Sequence, residues 1–141
     1  MFKNILKKKS INIDSEKNVL VAALLIHAAK ADENYTNVEK EIIKKAMISL
    51  SKISNEESEE LLKKAEIKEE KSNQIVEFTR EIKKNPMEYR LKIIEILWKI
   101  IYSDNQSDDF ESNLIRRVCG LLYVSDKDSG MLKLKVKNKV K

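Results

Sequence analysis

One cysteine, one proline and two glycines in 141 residues exclude several classes of protein at once. A single thiol, Cys119, cannot form an internal disulfide, so the chain is not a stapled secreted scaffold and fits a reducing compartment. Sandwiches and barrels need many tight turns, and two glycines with one proline cannot supply them. A lone histidine, His27, leaves no room for a zinc site built with Cys119. Nor is there a long apolar run. The longest, VLVAALLIHAA at 19–29, falls short of the roughly 20 residues a bilayer span requires. The basic opening MFKNILKKKS is followed by no apolar core or small-residue cleavage site, so no secretory signal is expected and the cytoplasm is the default location.

What remains is a chain of 36% charged and 42% apolar residues, rich in Lys, Glu, Leu and Ile. That is a globular, helix-favouring composition, long enough for one domain with a real core. The net charge of +5 is unevenly spread. Residues 1–17 hold five lysines against two acids and residues 127–141 hold six against one, leaving 17 basic and 20 acidic residues between them. A mildly acidic body with basic ends lacks the basic helical stripe of a nucleic-acid reader. We therefore divide the chain into a basic segment 1–14, a helical domain 15–130 and a basic tail 131–141.

Helix starts are legible as capping boxes, in which one side chain accepts from a free backbone N–H and an acid three residues on reaches back. Thr36 with Glu39, Ser54 with Glu57, Asn85 with Glu88 and Asp108 with Glu111 fit the spacing, and Ser125 with Asp128 is a weaker case. Pro86 stands where a first helical residue belongs. The apolar period then predicts helices at about 15–31, 37–51, 55–67, 72–84, 86–103, 109–122 and 126–137. Stretches 19–31 and 93–102 are apolar on every side, as enclosed helices are. The others carry one stripe, such as Ile42, Ile43, Ala46 and Leu50, or Leu114, Ile115, Val118 and Leu122.

These elements repeat. At an offset of 72, Leu24, Leu25, Asp32, Glu39, Ile42, Ile43, Ala46 and Leu50 fall on Ile96, Leu97, Asp104, Glu111, Leu114, Ile115, Val118 and Leu122. Each copy is a buried helix, an acidic loop and an amphipathic helix. The expected fold is all-α, a bundle of about seven helices in which the two repeats pack about a pseudo-two-fold axis.

The doubled motif, Ala31-Asp32-Glu33-Asn34-Tyr35 through Glu39 and Ser103-Asp104-Asn105-Gln106-Ser107 through Glu111, resembles the TerB-like domain family. The similarity covers about residues 16–130, and LIRRVCGLLYVSDKD at 114–128 looks like the close of the family's stand-alone branch. The resemblance implies a helical bundle named for tellurite resistance, with a divalent cation, calcium or magnesium, at Asp32 and Asp104 supported by Glu39 and Glu111. It also implies kinship with the domain that precedes the J domain in the DjlA co-chaperone, hence a protein partner. Two departures stand out: Glu33 and Asn105 replace the motif glycine, and Ser107 replaces an apolar residue that Tyr35 supplies in the first loop.

The same acids have a second reading. Carboxylates are favoured at helix N-termini by the exposed N–H groups and the dipole, with no metal involved. Glu39 and Glu111 are accounted for as capping partners; Asp32 and Asp104, four residues before the caps, are not. Asp104, Gln106 and Asp108 would open a calcium loop, but Ile115 stands where its closing glutamate belongs, so this is no EF-hand. Catalysis is not expected, because Cys119 has no local base beyond His27. Both are expected in or near the core. Trp98, Tyr102, Phe78, Tyr89 and Phe110 are read as packing residues and not as a stacking platform, and Arg116 and Arg117 as solvated. MFKNILKKK, residues 1–9, could touch an anionic membrane weakly, against the alternative of a helix folded back on the bundle. MLKLKVKNKVK alternates with period two but has no sheet to join, so it is expected to extend the last helix briefly and then fray.

Overall fold

The computed structural model describes the backbone of residues 2–32, 35–72, 74–103 and 109–140, and the side chains of 16–31, 35–72, 74–103 and 113–139. Seven α-helices run through those residues: α1 Phe2–Ala29, α2 Asn37–Ser51, α3 Asn55–Lys71, α4 Val76–Ile82, α5 Met87–Tyr102, α6 Asp109–Leu122 and α7 Asp126–Val140. A single 3-10 turn, Lys30–Asp32, closes α1.

The two helices expected to be enclosed are the centre of the bundle. Val21 through Ile26 on α1 are buried, as are Ile93, Ile94, Leu97, Ile100 and Ile101 on α5. Burying each large aliphatic side chain is worth about 1.5–3 kcal/mol, so this pair of rods contributes a large share of the stabilising side of the balance. Around them the contact pattern recurs. α1 packs on α2 and α3, and α5 packs on α6 and α7, while α1 and α5 touch each other. A shift of 72 residues carries the start of α2 from 37 to 109, the start of α6. The same shift carries the start of α3 from 55 to 127, one residue into α7.

Two capping boxes are complete. Thr36 Oγ1 accepts from Glu39 N at 3.2 Å while Glu39 Oε1 accepts from Thr36 N at 2.8 Å. Ser54 and Glu57 do the same at 3.1 Å each way. Ser125 forms half a box, accepting from Asp128 N at 3.1 Å. Asn85 differs from expectation. The residue next to α5 is Pro86, which makes no side-chain cap. The Asn85 amide instead donates to the carbonyls of Glu81 and Ile82, closing the end of α4. Asp108 lies outside the described residues.

Three boundaries also differ. α1 takes in the N-terminal segment as its own first turns, so that segment is no separate helix folded back; no glycine or proline interrupts it. α4 is short, because Ser72 spends its hydroxyl on Glu77 at 2.7 Å outside the helix. α7 runs helically to Val140, anchored by buried Val136 and by Lys135 beside Glu95 at 3.1 Å, where fraying was expected.

Helices α2 and α6 end on left-handed residues that are not glycine, Lys52 at φ 54° and Tyr123 at φ 57°. Lys52 N donates to Ile48 O and Val124 N to Cys119 O, each at 2.9 Å, satisfying carbonyls that the helix ends would leave open.

Candidate functional site

Of the four acids proposed for a cation, Glu39 is the one whose side chain is described. It is 4% exposed, and one carboxylate oxygen accepts both the N–H and the hydroxyl of Thr36, at 2.8 and 3.1 Å. That oxygen caps the N-terminus of α2. Asp32 ends the 3-10 turn and Glu111 lies in the first turn of α6, but their side chains, and all of Asp104, lie outside the described residues. Tyr35 packs against the core, with Lys40 Nζ 4.8 Å from its ring centre. Burial, reinforced by the Glu66 carboxylate, holds its phenol far above the ordinary range.

Beside this loop lies a cleft of about 540 Å³ lined by His27, Lys30, Ala31, Glu69, Asn113 and Arg117. Its charges come from three separate helices and one turn, so no sequence motif announces it. Lys30 Nζ approaches Glu69 Oε1 at 3.1 Å. His27 is half-buried, and burial holds its pKa below 6.5; Glu69 pulls the value up, while Arg117 and Lys30 push it down. The imidazole is therefore largely neutral at pH 7.

Cys119 is buried elsewhere, on the inner stripe of α6, and burial pushes its thiol up. A thiol kept protonated is a poor nucleophile. Of the aromatics, Phe78 and Trp98 are buried. Trp98 stacks on Tyr102 with ring centres 5.9 Å apart. Burial raises the Tyr89 phenol to about 12, with Lys17 4.4 Å above its ring. Phe110 lies outside the described side chains.

A second surface feature was hidden by the apolar stripe of α2. Ile43 and Met47 are buried, but Ile42, Ala46 and Leu50 are only half-buried. They form, with Ile96 of α5, the floor of a 370 Å³ groove between the two helices. Ile42 and Lys99 continue into a neighbouring 350 Å³ depression, where Val38, Tyr102 and Val136 join them. Lys45, Lys92, Lys99 and Lys139 stand around the two. None of these four makes an ion pair among the described residues, and the one acid of the lining, Glu95, is held by Lys135. The sequence placed Ile42, Ala46 and Leu50 on one apolar face correctly. It could not show that part of this face stays uncovered.

A family model described as tellurite resistance protein TerB matches residues 18–134. No curated protein and no solved structure matches the chain. No helix among the described residues is long and apolar enough to cross a membrane.

Proposed function

The chain belongs to the TerB family over residues 18–134, and from that premise we propose that it works as a non-enzymatic helical module that docks a protein partner in the cytoplasm. The observation carrying this reading is the groove between α2 and α5, where half-buried Ile42, Ala46 and Leu50 meet a rim of lysines. An apolar floor with a polar rim is the anatomy of a protein interface. The alternative use of the helical acids as caps agrees with it, since Glu39 completes the capping box with Thr36. Cys119 is buried and burial keeps its thiol protonated, so it offers no ready nucleophile.

The test is affinity capture from the source cell with the intact chain and with a Lys45→Glu, Lys99→Glu double variant. Both lysines are exposed, so the variant keeps the fold. A protein captured by the intact chain and lost with the variant supports docking at this groove. Equal capture by both removes it.

A second reading rests on Asp32 and Asp104, whose places four residues before the caps give them no capping role. Here the module holds calcium or magnesium at Asp32, Asp104, Glu39 and Glu111 and serves the tellurite-type stress response that the family's name carries. Calorimetric titration with each metal decides it. Saturable heat that Asp104→Asn weakens supports the site, and absence of heat leaves those carboxylates to the helix ends.

A further inference from the structure

The repeat is complete in three helices and broken at the fourth. α4 packs on α1 and on α6, burying Ile75, Phe78 and Ile82. Exchanging the two repeats, 72 residues apart, swaps α1 with α5 and α2 with α6. The place equivalent to that of α4 is therefore the surface shared by α5 and α2, which is the lysine-rimmed groove. The burial of matched residues shows the difference directly. On α6, Leu114, Val118 and Leu122 are buried; on α2 their counterparts Ile42, Ala46 and Leu50 are not. Val38, one turn before Ile42, is 59% exposed. Among the described residues, no helix covers the second place as α4 covers the first.

We propose that this groove receives an acidic amphipathic helix of a partner protein, seated on α5 and α2 as α4 is seated on α1 and α6. The proposal deepens the docking reading above by giving the partner's chemistry. Shape comes from α4 and the residue that precedes it: Ile75 at the helix cap, Phe78 and Ile82 stand at i, i+3 and i+7, the spacing of a helix laid in a groove. Sign comes from the rim: among the described residues Lys45, Lys92, Lys99 and Lys139 are four cations without ion pairs, and Glu95 is neutralised by Lys135. Acids flanking the apolar stripe would meet them. The chain's own N-terminal segment, with five lysines in 17 residues, has the wrong charge for this place. Rim charges of this kind raise the rate of encounter and reject basic competitors more than they add affinity.

The test uses the full chain and a designed helical peptide of about 20 residues, long enough to hold a helix in water. It carries Ile, Phe and Leu at i, i+3 and i+7 repeats with glutamates elsewhere. Controls are a scrambled peptide and one with lysine for every glutamate. Fluorescence anisotropy should show saturable binding of the acidic peptide alone, weakened by salt. Amide shift changes should fall on α2, α5 and the end of α7. Lys45→Glu with Lys99→Glu, and separately the exposed Val38→Glu, should each weaken binding by about fivefold or more, with unchanged circular dichroism. Equal binding of the scrambled peptide, or shifts centred on His27 and Arg117, would overturn the proposal. So would a concentration-dependent dimer lost in Val38→Glu, which assigns the groove to a second copy. Binding to phosphatidylserine vesicles that the double variant abolishes, with no peptide binding, would assign it to a membrane. Groove-dependent capture of a cellular protein without peptide binding would sink the acidic-helix chemistry and leave the docking reading standing. Failure of both would remove both.

Discussion

Lys30 and Glu69 close the end of the bundle on each other. The ammonium lies 3.1 Å from a carboxylate that is 7% exposed, tying the 3-10 turn after α1 to the last turn of α3. Because the lysine itself is 39% exposed, solvent screens the pair, and its weight lies in fixing geometry around His27 more than in stability.

That geometry gives a pH dependence. Burial holds the His27 pKa below its unfolded value of 6.5, with Glu69 raising it and Arg117 lowering it. Between 6.5 and the lower folded midpoint the unfolded chain binds more protons, so stability is full above 6.5 and falls as pH drops through that window. Urea melts across this range should show the slope, and His27→Gln should flatten it. By NMR titration, Glu69→Gln should lower the His27 midpoint further and Arg117→Gln should raise it. A midpoint that neither variant moves would mean that the cleft charges do not act on this imidazole.

The capping boxes should behave as structural parts. Thr36→Ala and Ser54→Ala should each cost about 1 kcal/mol in chemical denaturation, with the same loss in the presence of calcium, magnesium or a chelator. A loss at Thr36 that appears only with metal would place Glu39 in a cation site after all.

The left-handed helix ends offer the opposite sign. Tyr123 and Lys52 occupy a region where a Cβ is unfavourable, and both side chains are exposed. Tyr123→Gly, and independently Lys52→Gly, should stabilise the chain by up to about 1 kcal/mol, because the strain is relieved while little packing is lost. Lower melting temperatures in both variants would show that these side chains contribute packing that outweighs the strain.

Local chemistry was readable and long-range placement was not. Thr36, Ser54 and the all-apolar runs of α1 and α5 declare themselves within a few residues, because a cap or an enclosed helix is specified by its neighbours in sequence. Asn85 misled for the same reason. Its spacing to Glu88 matched a box, but Pro86 took the helix start and the amide found the carbonyls of α4. Arg90 was missed altogether. Its guanidinium donates to Asn85 O and, 32 residues away, to Leu122 O at 2.7 Å, joining the α4–α5 turn to the end of α6. The His27 cleft is of this kind too: Lys30 and Glu69 are 39 residues apart. The repeat gave the family, but it could not show which copy of the amphipathic stripe would be left half-open.

Trp98 is the sole tryptophan of the chain, and its indole N–H donates to Ser129 Oγ at 3.2 Å across the α5–α7 seam, with Lys133 5.1 Å from the ring centre. Every photon of indole emission therefore originates at that one junction. The molecule carries a built-in optical gauge on the side of α5 that borders α7, so any event that loosens or tightens this seam can be followed without attaching a dye.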